Sequence, residues 1–184
     1  MKKLLLVVST VLLAASVCHA QNTPNTSTAT ANLTLSVGAE AAIQVNTSPA
    51  FQEQSGTLFG DYATTTDLTW WVRTITGGKI TVEITTDFSA GGAGSGPSVA
   101  NPASGDALTH TCNAATAGIT GSVTACGSAV TASTTTATNV VTFGAATQSA
   151  KAGDDLKTAW NLTNDPNYAA GSYTAVATYT ISAS

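Results

Sequence analysis

The residue types that most often carry out catalysis are scarce in this chain. It contains two histidines, and only His110 lies beyond the first twenty residues. Nucleophilic catalysis needs a base beside the nucleophile. His110 instead alternates with polar Thr109 and Thr111, a pattern typical of a strand or a loop edge.

Acidic side chains can also act in pairs, as they do in glycoside hydrolysis. The candidates all lie in polar turns or on predicted solvent faces: Glu40, Glu53, Asp61, Asp67, Glu83, Asp87 and Asp106. We interpret them as solvated surface charges, and we predict that the protein is not an enzyme.

Metal ligands are incomplete wherever they cluster in the sequence. Cys112 and Cys126, with His110 as the nearby histidine, make one ligand too few for a zinc site. The pairs Asp154–Asp155 and Asn164–Asp165 could meet as a calcium site, but neither has the ordered spacing of a calcium loop. Turn chemistry explains both pairs better, so we predict no metal and no cofactor.

Two cysteines, Cys112 and Cys126, remain beyond the first twenty residues, and in an exported chain an even pair indicates a disulfide. The bond would close a loop of about 15 residues, for which chain-entropy models give roughly 3 kcal/mol. The enclosed residues are nearly all small or polar, so burial alone could not hold the loop.

Trp70 and Trp71 are the two adjacent aromatic residues of the chain. Neighbouring residues on a strand point to opposite faces. We therefore expect one indole in the core and the other packed against a loop. The alternative is that the second indole, with Tyr62 or Tyr168 nearby, forms a platform on which a sugar ring stacks.

The first twenty residues predict export. Lys2 and Lys3 precede an apolar run from Leu4 to Ala15, and residues 18–20 fit a cleavage site. A lipoprotein modified at Cys18 is the alternative, although the residue before it is bulky where a small one is expected. We predict a signal peptide over residues 1–20 and a secreted protein.

The composition limits the partners of the exported chain. Removing 20 of the 184 residues leaves 164, enough for one domain with a core. Loss of Lys2 and Lys3 also changes the net charge from −4 to −6. An acidic chain poor in lysine and arginine does not suit nucleic acid or an anionic membrane. We predict no nucleic-acid partner and no membrane insertion after cleavage.

Two long alternating segments lie at the two ends of the chain. After a polar leader at residues 21–27, the apolar residues of Thr28–Val37 fall on one face: Ala29, Ala31, Leu33, Leu35 and Val37. From Gly171 to Ser184 the corresponding residues include Tyr173, Ala175, Ala177, Tyr179 and Ile181. Period-two alternation predicts half-buried β-strands in both places.

Shorter strands fill the sequence between these ends. Leu68–Ile75 and Ile80–Phe88 flank Gly77-Gly78, which predicts a tight hairpin. Their apolar faces disagree by one residue, so we expect a β-bulge near Arg73 and Thr74. Further strands are predicted at Ala41–Val45, Ala107–Cys112, Ala129–Ala137, Asn139–Phe143 and Leu156–Leu162.

Eight to ten short strands separated by turn signals, without a helical pattern, are typical of an all-β sandwich. We predict an immunoglobulin-like β-sandwich with one disulfide, formed as a single domain by residues 28–184.

At its two terminal strands the chain resembles subunits of bacterial fimbriae assembled by the chaperone–usher route. In that family a subunit is an incomplete immunoglobulin-like sandwich, completed by an N-terminal extension from the next subunit. Thr28–Val37 looks like such an extension. Gly171 lies fourteenth from the end, as the family's glycine does, but Ala183 stands where the family often has a penultimate tyrosine.

Two functions from different classes follow. The resemblance implies a structural or adhesive subunit, with other subunits and a periplasmic chaperone as partners, that passes through the periplasm to a fimbrium on the cell surface. In that case Thr28–Val37 is the polymerisation strand. The alternative is a self-contained secreted sandwich that binds a ligand such as carbohydrate through Trp70 or Trp71, with Thr28–Val37 paired inside its own sheet.

Overall fold

The computed structural model describes residues 30–47, 50–53, 58–90, 95–103 and 105–184. The predicted signal peptide, the lipidation alternative at Cys18 and the polar leader lie outside these ranges. The chain divides into two units, Met1–Leu35 and Ser36–Ser184, and all the strands belong to the second. In the described ranges, no helix could span a membrane.

The described ranges contain ten strands. In chain order they are β1 (Glu40–Val45), β2 (Gln52–Glu53), β3 (Tyr62–Arg73), β4 (Gly78–Ala90), β5 (Leu108–Ala114), β6 (Val123–Ala125), β7 (Val130–Thr131), β8 (Thr138–Phe143), β9 (Asp154–Leu162) and β10 (Tyr173–Ala183).

The strands make two antiparallel sheets. The first has the order β1-β3-β9-β5-β7, with β2 also paired to β3, and the second has the order β10-β4-β8-β6. This arrangement confirms the predicted β-sandwich and its number of strands. The disulfide between Cys112 and Cys126 is also present.

Consecutive strands from β3 to β10 always belong to opposite sheets. The predicted hairpin across Gly77-Gly78 is therefore wrong, because β3 and β4 lie in different sheets and do not pair. The disagreement of their apolar faces needs no bulge at Arg73 and Thr74. The two faces meet across the core, and the register shifts of β4 and β10 lie elsewhere, at Ile80–Thr81 and Thr174–Ala177.

The crossover from β3 to β4 is a compact turn. The Thr74 hydroxyl donates to the Gly77 carbonyl at 2.8 Å and accepts from the Gly77 N–H at 2.9 Å. Gly77 has a φ of 120°, which disfavours any residue with a Cβ. A Cβ on Gly78 would lie 2.0 Å from the Ser182 carbonyl oxygen. Both glycines are thus required by the crossover.

Both sheets contribute side chains to the core, mostly from alternate residues of their strands. The first sheet contributes Leu68, Trp70, Val72, Leu156, Trp160 and Leu162, and the second contributes Ile80, Val82, Ile84, Val140, Val141 and Phe143. The Trp70 and Phe143 rings stack across the two sheets with centroids 5.7 Å apart and planes at 7°. The Trp160 indole N–H donates to the Thr66 hydroxyl at 3.0 Å, so this buried donor is satisfied.

The structure corrects several predicted strand boundaries. Residues 30–37 belong to no strand, although their alternation predicts one. β3 begins at Tyr62, six residues before the predicted start, and only Val130–Thr131 of the predicted Ala129–Ala137 strand is paired. The short strands β2 and β6 were not predicted, because pairs of two or three residues leave no periodicity to detect.

Replacing Phe143 by alanine tests the aromatic contact between the sheets. We expect Phe143→Ala to lower the free energy of unfolding by about 3–5 kcal/mol, because it removes a buried ring and leaves a cavity against Trp70. Urea denaturation measures the change. The neighbouring exposed residue gives the matched control, Thr142→Ala, which should cost less than about 1 kcal/mol. Equal losses for the two variants would contradict this description of the core.

Candidate functional site

The C-terminal strand β10 is the edge strand of the second sheet. It pairs antiparallel with β4, and no other strand in the described ranges lies on its opposite side. We call that side of β10, from Ala175 to Ala183, the open edge. An edge strand of this length leaves backbone hydrogen-bonding groups for another strand to use.

The inward face of β10 is only partly covered. Its side chains alternate between partly buried and exposed along the whole strand, whereas those of β9 alternate between fully buried and exposed for most of its length. The inward residues of the open edge pack against the core but retain solvent contact: Ala175, Ala177, Tyr179, Ile181 and Ala183. Three of these five are alanines, so the covering layer is thin.

Tyr179 is the largest inward side chain of the open edge, and it reaches residues of the first sheet. Burial raises the pKa of its phenol, and the buried hydroxyl has no hydrogen-bond partner among the described residues. Tyr179 therefore covers the core with a large side chain at one part of the open edge, while Ala175 and Ala177 cover it with small ones at another.

β1, an edge strand of the first sheet, lies close to β10 of the second sheet. β1 pairs with β3 and approaches β10 from the other layer. Only Ile43 of β1 is partly buried, and Val45 is exposed. The two sheets are thus both open on the side of the sandwich where β1 and β10 adjoin.

The beginning of β10 is held by the loop that follows β4. The Tyr173 hydroxyl donates to the Ala169 carbonyl at 2.7 Å, and the Ala169 N–H donates to the Ser95 carbonyl at 2.7 Å. Burial alone would raise the pKa of Asp87, but hydrogen bonds from the loop residues Val99, Ala100 and Ser98, together with one from Phe88, hold it below the usual value. Asp87 therefore anchors this loop as a carboxylate.

The end of β10 is held by the crossover between β3 and β4. The Ser184 carbonyl oxygen accepts hydrogen bonds from the N–H groups of Ile75 at 2.9 Å and Thr76 at 2.8 Å. The Ser184 N–H donates to the Gly77 carbonyl at 3.2 Å. Both ends of β10 are therefore fixed, and the open edge lies between them.

The predicted polymerisation strand is present as an unpaired segment. Ala29 lies outside the described residues; Ala31, Leu33, Leu35 and Val37 are all exposed. Leu33 and Leu35 are 97% and 85% exposed. The structure assigns residues 30–37 to no strand.

The two adjacent tryptophans occupy different environments, as alternation predicts. Trp70 is fully buried, and Trp71 is partly exposed on the outer face of the first sheet. Trp71 pairs with Ala42 of β1, and a Cβ on Gly153 would lie 2.6 Å from its Cε2 atom. The Trp71 indole therefore packs against the Gly153 loop and has a small residue on each side.

The disulfide joins the two sheets beside a buried histidine. Cys112 lies on β5 of the first sheet, and Cys126 follows β6 of the second. His110 is 1% exposed, and its ring packs against Trp160 with centroids 5.1 Å apart. The sequence places His110 on a strand, but its burial was missed, although it alternates with Leu108 and Cys112 on one face.

The structure keeps the two acidic pairs apart. Asp154 begins β9, and Asn164 follows the end of the same strand. Nine residues of strand span about 30 Å, so the two acidic pairs cannot share an ion. Asp154 is buried and accepts from the Ala150 N–H at 3.0 Å, whereas Asp165 accepts from the Asn167 N–H at 2.8 Å within its own turn.

Comparisons with protein-family models, curated proteins and solved structures give no match for this chain. The inference of function therefore rests on the geometry described above.

Proposed function

We propose that this protein is a structural subunit of a cell-surface polymer, and that it assembles by donating residues 28–37 to the open edge of a neighbouring copy. The observation that carries this proposal is the half-covered inward face of β10. The same chain also carries an exposed, unpaired segment with the alternation of a strand. If the segment of one copy were added as a strand to the open edge of another, it would cover the inward face of β10 and would itself become paired.

The lengths of the two partners match. Ten residues from Thr28 to Val37 span about 33 Å when extended, and the eleven residues of β10 span about 36 Å. Strand addition to a sheet edge derives affinity from backbone hydrogen bonds and specificity from alternate side chains. The donated segment supplies backbone groups for the hydrogen bonds and alternate apolar side chains for the specificity.

The side-chain sizes favour an antiparallel arrangement. Leu35 then lies beside Ala175, and Leu33 beside Ala177, so the large donor residues meet the small inward residues of β10. In the same register Ala31 lies beside Tyr179, and Val37 lies beside Tyr173, which precedes the open edge. In a parallel arrangement that keeps both leucines beside alanines, Val37 would meet Tyr179 and overfill the core.

The donated side chains supply a substantial part of the binding energy. Burying Leu33, Leu35 and Val37 contributes about 1.5–3 kcal/mol each, and each backbone hydrogen bond adds about 1 kcal/mol. Association and ordering of the segment oppose these gains. Before assembly the open edge would be prone to incorrect pairing, which is why we propose a periplasmic chaperone as a second partner.

Charge on the donor face tests the proposed assembly. We expect Leu33→Asp with Leu35→Asp to abolish polymers, because the joint loses two buried leucines and would bury two carboxylates instead. Detergent-resistant ladders on gels and analytical ultracentrifugation measure the polymer. Thr34→Asp with Ser36→Asp places the same charges on the opposite face and should leave polymers intact. Persistence of ladders in the Leu33/Leu35 variant would refute the mechanism.

Cysteine pairs test the register and the direction of the donated strand. Mixing a Leu35→Cys copy with an Ala175→Cys copy should give an intermolecular disulfide, because neighbouring strand residues on one face have Cβ atoms about 5 Å apart. Mass spectrometry identifies the bond. Thr178→Cys, on the outward face, is the control and should not cross-link.

Two outcomes of the cross-linking experiment would contradict the antiparallel register between copies. Preferential coupling of Leu35→Cys to Ala177→Cys would indicate the parallel arrangement. A monomer with an internal bond, formed when both cysteines are on one chain, would indicate that the segment pairs with its own sandwich.

A second candidate function is saccharide binding at Trp71. Next to its strand neighbour Thr69 lies a shallow cavity of about 160 Å³, lined by Asn46, Asp67, Asp155 and Lys157 among others. Trp71 does not line this cavity, but it lies on the same outer face of the first sheet as Asp67 and Thr69. An aromatic surface close to a few placed polar groups is typical of small-ligand sites.

Substitution of Trp71 tests the second candidate. Titration with soluble cello- and chito-oligosaccharides should quench tryptophan fluorescence, and Trp71→Ala should weaken binding at least tenfold by removing the stacking face. Thr111→Ala, on the same sheet, is the control and should bind normally. Absence of binding to these oligosaccharides, or equal binding by Trp71→Ala, would count against this candidate.

A further inference from the structure

The imidazole of His110 is buried without a hydrogen-bond partner. Neither ring nitrogen has one among the described residues, although His110 is almost completely enclosed. A neutral imidazole has one N–H donor and one acceptor nitrogen, and burying such groups unpaired is costly. A buried polar group of this kind requires a physical explanation.

Two sulfur atoms lie next to the unpaired nitrogens. One ring nitrogen of His110 and the Sγ atoms of Cys112 and Cys126 all lie within 4.8 Å of one another. The fold brings them together from both sheets: His110 and Cys112 share one face of β5, and Cys126 follows β6. Contact with Trp160 fixes the plane of the imidazole.

We propose that the dithiol form of this protein binds one Cu(I) ion through His110, Cys112 and Cys126. Thiolate sulfur is the soft ligand that selects Cu(I), and imidazole also suits copper. Zn²⁺ prefers four ligands, and the group contains three residues in the described part of the chain. The three donors are therefore better suited to Cu(I) than to Zn²⁺.

The dithiol form arises by thiol–disulfide exchange. A dithiol reductant transfers two electrons and two protons to the Cys112–Cys126 bond and becomes a disulfide itself. Cu(I) then displaces one proton from each thiol, and neutral His110 supplies a nitrogen without losing a proton. No change of copper oxidation state is required.

The state of the cysteines thus decides whether the site exists. In the disulfide the sulfurs are bonded to each other and no thiolate is available. In the dithiol, rotation of the two cysteine side chains places both sulfurs around an ion beside the His110 ring. The site is separate from the open edge and does not rest on the proposed assembly.

Anaerobic titration of the full chain with Cu(I), in competition with a chromogenic Cu(I) chelator, tests the proposal. After reduction by a phosphine and removal of the phosphine, we expect one Cu(I) per chain and a thiolate-to-copper absorption band in the ultraviolet. X-ray absorption should show one nitrogen and two sulfur ligands. The disulfide form should not bind.

Variants separate the role of each ligand. Cys112→Ser should abolish the site, and His110→Phe, which keeps a ring against Trp160, should weaken Cu(I) binding at least tenfold, since even loss of a second-shell partner costs 10- to 100-fold. Thr109→Ala is the control and should bind as the unchanged chain does. Circular dichroism reports whether the reduced chains retain the sandwich.

Three results would overturn the proposal. They are equal Cu(I) affinity for His110→Phe and the unchanged chain, stronger binding of Zn²⁺ than of Cu(I) in the same titration, and loss of the β-sheet signal on reduction. The last would show that the three donors are no longer held together when the disulfide opens.

Discussion

The contact between the inward faces of β3 and the second sheet is the interaction on which the rest of this structure depends. Trp70 from β3 stacks on Phe143 from β8, and Ile80, Val82 and Ile84 of β4 face the same core. Because β3 and β4 belong to opposite sheets, the crossover at Thr74–Gly77 sets the separation of the layers. The later strands then alternate between these two layers.

The order of the second sheet leaves the last strand with one neighbour. β8 already pairs with one side of β4, so β10 joins the other side and forms the margin of that sheet. Its ends are held by Ser95 and by the crossover, so it cannot move inward to find better cover. Ala175 and Ala177 cover the core there with small, partly exposed side chains. An added strand is the simplest cover that also satisfies the backbone.

Two buried polar side chains, Trp160 and His110, differ in whether they have a hydrogen-bond partner. Trp160 is satisfied by Thr66, and the two together tie β9 to β3. His110 is enclosed by the same indole and by the disulfide, yet its nitrogens have no partner in the described part of the chain. The disulfide holds β5 and the end of β6 together across the layers, so it both closes the core and keeps the histidine beside two sulfur atoms.

Local patterns in the sequence determined the all-β class, the disulfide pair, the split environments of Trp70 and Trp71, and the strands β8, β9 and β10. Period-two alternation depends only on neighbouring residues, and it survives folding wherever one face is buried. The tertiary structure decided which sheet each strand joins, because the turn chemistry of Gly77-Gly78 suits a hairpin and a crossover alike. It also decided that residues 30–37 form no strand, that β10 has an open edge and that His110 is buried. Each of these depends on residues that are distant in sequence and become neighbours only when the two layers close.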